Sequence, residues 1–278
     1  MIRISAFADE VSPRLDEQIA YLQAAGIKYL EIRFVDGRNI TTLSEAEAAA
    51  VKDRLDAAGI GVSAIASPIG KYPLDADFAP HLELLRHTLR LARILGTAMI
   101  RIFSFYAPQG GCIDDCAAEV QERLRAMARE AEGTGIRLVH ENEASIYGHT
   151  AAHCAELMQA VASPALTLAY DPANFVWGEG IADNVAACWP VMQPYVSHIH
   201  IKDWRLGSKD IGSLPGDGDG QIDRLMQALA AAGYDGFVTL EPHMSSGGQF
   251  GGQTSAVQFD AALERVRSYC RRYDMPYE

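Results

Sequence analysis

Positive charge, paired cysteines and long apolar runs are what this 278-residue chain has least of. Lys and Arg number 24 against 36 Asp and Glu, a formal net charge of −12. That deficit argues against a nucleic-acid backbone or an anionic membrane as the main partner, since either demands a basic footprint. A local basic pocket stays compatible with it. The five cysteines, Cys112, Cys116, Cys154, Cys188 and Cys270, are odd in number and lack paired zinc-ribbon spacing. No apolar run reaches membrane-spanning length, because charges or prolines interrupt each one. Met1-Ile2-Arg3-Ile4 runs on to Asp9-Glu10 with no apolar stretch long enough for a signal peptide. The expectation is a reduced, soluble, cytoplasmic protein. With 49% of its residues hydrophobic, the chain suits a globular core rather than disorder.

Length alone allows one large domain or two. A repeated phrase decides between them: a helical pattern, a Gly stop, then a β-rich run. It appears as Leu22-Gln-Ala-Ala-Gly26, Leu55-Asp-Ala-Ala-Gly59 and Leu229-Ala-Ala-Ala-Gly233, and more loosely at Leu95-Gly96 and Glu132-Gly133. Gly past the last apolar turn ends a helix because it enters the left-handed conformation without a Cβ penalty. Ser12-Pro13 supplies an N-cap and first-turn proline ahead of Leu15, Ile19 and Leu22, and Ser44 with Glu47 makes a capping box. The β-rich runs, 2–7, 28–34, 60–66, 98–103, 136–141, 166–170, 196–202 and 236–241, are nearly continuous in apolar residues. Strands buried on both faces read this way. Eight strands alternate with eight helical patterns at intervals of roughly 30–38 residues, close to the ~31 expected of a (β/α)8 barrel. No Pro/Gly/Ser-rich linker interrupts them, so one α/β TIM barrel domain over 1–278 is expected, ahead of a doubly wound sheet. The Gly-rich stretch from Ser245 to Gln253 reads as a mobile loop before the last helix.

Such a barrel carries its chemistry at the C-terminal strand ends. There the chain places Glu141-Asn142-Glu143, Asp171-Pro-Ala-Asn174, His198-Ile-His200-Ile-Lys202-Asp203 and Glu241-Pro242-His243. Singly, each has a plain structural reading. Asp171-Pro172 opens a turn, His198 or His200 bonds a backbone carbonyl, Glu141 pairs an arginine, and Glu241 leaves for solvent. Together they differ, because carboxylates are costly at buried strand ends, and three beside a histidine call for a cation. Oxygens with one nitrogen suit one divalent ion, Mn²⁺, Mg²⁺ or Co²⁺, with Zn²⁺ also compatible.

These runs resemble the xylose isomerase-like barrel superfamily, in particular the sugar phosphate isomerases/epimerases and ketose 3-epimerases. Pro215-Gly-Asp-Gly218, Glu31-Ile-Arg33, Ser67-Pro-Ile-Gly-Lys71 and Arg101-Ile-Phe-Ser104 extend the likeness over nearly the whole chain. The resemblance implies that Glu141, Asp171, His200 and Glu241 hold the metal. His200 rather than His198 matches, because the family histidine stands two residues before the Lys-Asp position. It also implies a metal-dependent isomerase of carbohydrate metabolism, acting on a ketose, aldose or related polyol ketone through an enediolate. Glu141 and Glu241 are the expected acid/base pair, their order open. One departure bears on activity: Asn174 stands where ketose 3-epimerases carry a substrate-contacting histidine. A metal-dependent lyase of the inosose or dehydroshikimate-dehydratase kind is the alternative. An endonuclease IV-like nuclease ranks lower, because only eight histidines are present and His81, His87, His149 and His153 fall in or at the start of helical patterns. A non-catalytic sugar-binding barrel also ranks lower.

Substrate contacts are expected from Lys202, His243, Asn174 and Lys71. Lys202 shares strand parity with His200, its alternative being a salt bridge to Glu241 or Glu143. His243 keeps parity with Glu241, and Lys71 reaches the site from the loop after the third strand. Glu31 and Arg33 read as a buried ion pair. A phosphorylated substrate would find Lys71, Lys202, Arg205 and Lys209 as cations, although no glycine-rich phosphate loop at a helix N-terminus stands out. Asp217-Gly-Asp219-Gly220-Gln221-Ile-Asp223 lacks the glycine and distal Glu of a calcium loop and reads as the loop closing on the barrel. Cys112 and Cys116 read as free thiols. Trp177, Phe175 and Tyr106 form either a wall over the substrate or outer core. The partner is a small sugar, with nucleic acid and membrane excluded and homo-oligomerisation left open.

Overall fold

The computed structural model describes residues 1–208, 211–246 and 251–278. Its strands are β1 (Arg3–Ala6), β2 (Tyr29–Ile32), a short antiparallel pair β3 (Phe34–Val35) and β4 (Arg38–Asn39), β5 (Gly61–Ala66), β6 (Met99–Ile102), β7 (Arg137–Glu141), β8 (Leu166–Tyr170), β9 (Val196–Ile201) and β10 (Phe237–Leu240). All but β3 and β4 are parallel and close in the order β1-β10-β9-β8-β7-β6-β5-β2. β1 completes the ring by pairing Arg3 with Phe237 on one side and Ser5 with Tyr29 on the other. This is the (β/α)8 barrel expected from the apolar runs.

Between the strands run α1 (Leu15–Ala25), α2 (Glu45–Ala57), α3 (Phe78–Leu95), α4 (Ala117–Ala131), α5 (Ala151–Val161), α6 (Pro172–Glu179), α7 (Asn184–Ala187), α8 (Trp189–Met192), α9 (Ile222–Ala231) and α10 (Ala256–Arg272). Their apolar faces meet the outward strand residues in one core that includes Leu22, Leu55, Leu89, Leu124, Ile100 and Leu138. The Ser44–Glu47 capping box is present at α2. Gly26 and Gly96 end α1 and α3 in the left-handed conformation, φ 65° and 72°.

Three local expectations are corrected. α1 begins at Leu15 rather than at Pro13: Ser12 Oγ donates instead to Glu17, and the Leu15 N–H is accepted by Asp36. The second strand stops at Ile32, and a hairpin follows through Asp36-Gly37 with φ 50° and 78°. Two successive positive φ values mark the Asp-Gly type I′ turn, a signal present in the sequence. After β8 the chain forms three short helices, α6 to α8, in place of one.

The barrel interior is layered. Toward the N-terminal end Ala64, Met99, Val139, Ala169 and Phe237 pack together, with Arg3 Cζ 4.0 Å from the centre of the Phe237 ring. Above them the inward positions turn polar, beginning with Ser5 and Ser63, whose hydroxyls are 2.6 Å apart. The two-residue period of each strand carries this face up to the C-terminal rim. Among the described residues no helix is long and apolar enough to cross a membrane.

Candidate active site

Strand parity builds the site. Glu141 closes β7, Asp171 follows β8, His200 lies in β9, and Glu241 follows β10. The register pairs Glu141 with Ala169, two residues before Asp171, and His200 with Thr239, two residues before Glu241. All four side chains therefore enter the barrel mouth. One ligand-competent atom from each lies within 4.8 Å of the others, and all four residues are buried.

Each carboxylate is held differently. Glu141 accepts from Arg101 Nη1 at 2.9 Å on one oxygen, and from His200 Nδ1 at 3.1 Å and Asn174 Nδ2 at 3.2 Å on the other. Asp171 caps α6, its Oδ1 accepting from the N–H groups of Ala173 and Asn174. Its Oδ2 has Lys202 Nζ at 2.7 Å but no aligned hydrogen bond. Glu241 Oε1 accepts from Arg33 Nη1 at 2.7 Å and lies 3.2 Å from His243 Nε2. Its Oε2 is buried without a hydrogen bond, with Lys202 Nζ at 3.6 Å.

Electrostatics follow from this packing. Burial pushes Glu141 up, but the His200 and Arg101 charges overcome it and hold the carboxyl well below its ordinary range. Burial also opposes the ionised form of Glu241, and Lys202 with His243 draws it well down. Asp171 goes the other way: burial raises it to about 7 against the pull of Lys202, with Glu141 and Glu241 adding to the rise. Burial would strip Lys202 of its proton, yet Asp171 and Glu241 keep its ammonium well protonated. Two carboxylate oxygens buried without hydrogen bonds inside a three-oxygen, one-nitrogen set are the donors that a divalent cation satisfies. The residues present fit such an ion.

Above this cluster opens a pocket of about 830 Å³, a volume that takes in space open to solvent at its mouth. Lys71, Glu141, Asn174, Lys202, Glu241 and His243 all line it, so every expected substrate-contact residue reaches one cavity. Lys71 meets Glu143 at 2.9 Å. Lys202 pairs mainly with Asp171, a partner not anticipated for it, and stands farther from Glu241. Trp177 lines the pocket with nearly half its surface exposed, whereas Phe175 is buried against Tyr170 in the outer core. The wall and outer-core readings therefore divide between them.

A scan against family models matches residues 19–269 to the xylose isomerase-like TIM barrel model. The chain belongs to the xylose isomerase-like TIM barrel family. Solved structures share this family's fold at low identity. L-ribulose 3-epimerase aligns over 99% of this chain and 96% of its own at 19% identity and TM-score 0.74. The probable 3-DHS dehydratase AsbF from Bacillus anthracis, involved in petrobactin synthesis, covers 96% and 99% at 16% identity and TM-score 0.75. A xylose isomerase-like TIM barrel protein from Mycobacterium smegmatis in complex with magnesium covers 99% and 98% at 15% identity and TM-score 0.76. No curated protein matches the chain by sequence.

This xylose isomerase-like barrel also contains partners that sequence reasoning missed. Glu31 and Arg33 do not pair with each other. Glu31 instead reaches across the barrel to His198 and His200, and Arg33 bonds Asp9 and Glu241. Glu31 lies in β2 and Arg33 just past its end, and each meets its partner from elsewhere in the chain: Glu31 from β9, Arg33 from the turn after β1 and the residue after β10. Arg101 interrupts an otherwise apolar strand, the one signal that could have marked it. Asp203 anchors the loop after β9 by accepting the N–H groups of Trp204, Gly216, Gly218 and Gly220. A Cβ on Gly218 would stand 2.4 Å from Asp203 Oδ1, so only glycine lets the loop wrap this carboxylate. Arg205 is exposed, Lys209 lies outside the described residues, and of the stretch 245–253 residues 247–250 do too. The five cysteines are free thiols.

Proposed function

We propose that this barrel is a divalent-metal-dependent sugar isomerase or epimerase that moves a proton beside the carbonyl of a ketose, aldose or related polyol ketone. The observation that carries the reading is the pair of buried, hydrogen-bond-free oxygens, Asp171 Oδ2 and Glu241 Oε2, within a four-residue ligand set. Glu141, Asp171, His200 and Glu241 would hold the ion, Mn²⁺, Mg²⁺ or Co²⁺, with Zn²⁺ also fitting the donors. When bound, the ion would supply Lewis acidity that polarises the substrate carbonyl and acidifies the adjacent C–H.

The chain's own residues supply the proton traffic. Glu141 and Glu241 reach the pocket from strands three apart around the barrel, each with one oxygen fixed by an arginine, Arg101 or Arg33. Carboxylates fixed in this way are positioned to take a proton from a substrate carbon and return it. Lys202, Asn174, His243 and Lys71 present donors around the same cavity and orient substrate hydroxyls.

The test is incubation of ketoses, aldoses and inososes in heavy water, with and without chelator. Deuterium should enter carbon beside the carbonyl only in metal-reconstituted protein, and Glu241→Gln should abolish the exchange. Absence of exchange in every substrate overturns the reading. A conjugated, ultraviolet-absorbing product without exchange moves the assignment to a dehydratase, an activity carried in the name of one structure of this fold.

A further inference from the structure

We infer that the pocket takes an uncharged polyol ketone: the substrate carries neither phosphate nor carboxylate. What the substrate undergoes rests on the proton-transfer reading above; what it is rests on a separate set of contacts. A phosphate or carboxylate group is held in proteins by arginine forks and lysines, by helix N-termini, or by successive glycine N–H groups. All three kinds of donor stand at this barrel mouth, and among the described residues each is occupied by one of the chain's own carboxylates.

The cations come first. Arg33 bonds Asp9 and Glu241, Arg101 bonds Glu141, Lys71 meets Glu143, and Lys202 meets Asp171, at 2.7–2.9 Å. The carboxylates in and behind the wall number seven once Asp9, Glu10 and Glu31 are added to Glu141, Glu143, Asp171 and Glu241. Seven stand against four Arg and Lys, and the three histidines among them, His198, His200 and His243, face Glu31, Glu141, Glu10 and Glu241, so each of these basic groups already faces a carboxylate. Among the described residues such a wall has no fixed positive charge left to give an incoming anion, and adding one places like charges together.

The N-terminus of α6 lines the cavity through Ala173 and Asn174, and Asp171 Oδ1 fills it. The glycine N–H groups lie in the loop after β9. Gly216, Gly218 and Gly220 converge as they would around a phosphate, but the group at the centre is Asp203, 2.7–2.9 Å from each nitrogen. What remains open to a ligand is different in kind. Phe34 and Trp177 offer apolar surface among the carboxylates and amines, while Trp204 and Phe103, the latter under Lys71 and Arg101, line the cavity with little of their rings exposed. A sugar matches that surface, laying its C–H faces on rings and giving its hydroxyls to paired charges.

The experiment compares ketoses with their terminal phosphates in metal-reconstituted protein, reading deuterium exchange, and separately titrates inorganic phosphate by calorimetry. The neutral member of each pair should exchange with at least about tenfold higher kcat/KM, and inorganic phosphate should show no saturable binding. Glu143→Gln removes one wall carboxylate beside Lys71, and should raise kcat/KM for the phosphorylated member by about tenfold relative to the neutral one. Preference for the phosphorylated member, or tight phosphate binding to the wild-type protein, overturns the inference. If no sugar of either class exchanges, the proton-transfer reading falls by itself. Phosphate titration of the wild type and Glu143→Gln then decides the inference alone: saturable binding to the wild type defeats it, and binding gained only in the variant supports it.

Discussion

Glu31 holds His200 from behind. Its Oε1 lies 3.2 Å from His200 Nε2, while its Oε2 takes His198 Nε2 at 2.6 Å. Phe7 packs edge-on against the His200 ring at 5.3 Å. The imidazole is thereby fixed with Nδ1 toward Glu141 and Glu241, at 3.1 and 3.7 Å. With Nε2–H kept on Glu31, Nδ1 is the nitrogen that would give up its proton and turn its lone pair to a bound ion, the arrangement that makes a histidine a ready metal ligand.

Glu31→Gln keeps the shape of this support and removes its charge. The expected result is a loss of about 10–100-fold in divalent-ion affinity, the usual effect of removing a partner behind a ligand. Calorimetric titration with Mn²⁺ measures the affinity, and the visible spectrum of bound Co²⁺ reports ligand geometry without reference to turnover. Affinity within about twofold of wild type together with an unaltered spectrum would show that Glu31 does not position His200.

The Glu31 contact also marks where the sequence stops being readable. Strands announced themselves because each is buried on both faces and must be apolar throughout. Glu141, Asp171, His200 and Glu241 were legible because a charged residue ending such a run has few places to go. Partner choice was not, since it depends on closure: Glu31 on β2 meets β9 only once β1 and β10 lie between them in a closed ring. Asp203 was visible as part of a motif, but its hydrogen bonds run to glycines 13, 15 and 17 residues later, set by the fold of the loop.

Asp203 supports a second prediction. Asp203→Asn turns one of its two accepting oxygens into a donor facing backbone N–H groups. Leaving such groups unpaired should cost about 2–4 kcal/mol. For a chain of this size that corresponds to a fall in Tm of roughly 3–7 °C. Trp204, buried next to Asp203 and donating Nε1–H to Ser208 O, should show red-shifted fluorescence as the loop loosens. An unchanged Tm and spectrum would mean the loop is held by other contacts.

His81 predicts a pH dependence. It is buried in α3, accepts the Gly70 N–H at Nε2 (2.8 Å), and stacks on Tyr72. Burial lowers its imidazole to about 4, and the Arg123 charge adds to the effect. In the unfolded chain the ring takes its proton near pH 6.5, so between about 6.5 and 4 the unfolded state binds more protons. Stability should therefore be full above that window and decline as pH falls through it, by about 3 kcal/mol from this residue. Urea unfolding of wild type and His81→Gln at pH 7.5 and pH 5 should show a smaller decline in the variant. Equal declines would remove His81 as a cause.

Lys202 occupies the ground an ion would need. Its ammonium sits against Asp171 Oδ2 and near Glu241 Oε2, the two oxygens that lack hydrogen bonds. An ion held by those oxygens must compete with that charge for them. Lys202→Met removes the competitor and leaves the carboxylates buried together. Metal-free protein should then lose about 3–5 kcal/mol, the cost of leaving a buried pair broken. The same change should tighten ion binding by about tenfold, which by linkage adds roughly 1.4 kcal/mol to the stabilisation that saturating ion confers. Thermal unfolding with and without Mn²⁺ reads both effects: a lower Tm without the ion and a larger rise with it. A variant that binds the ion more weakly would instead make Lys202 a support of the ligand set, since losing a competitor can only strengthen binding.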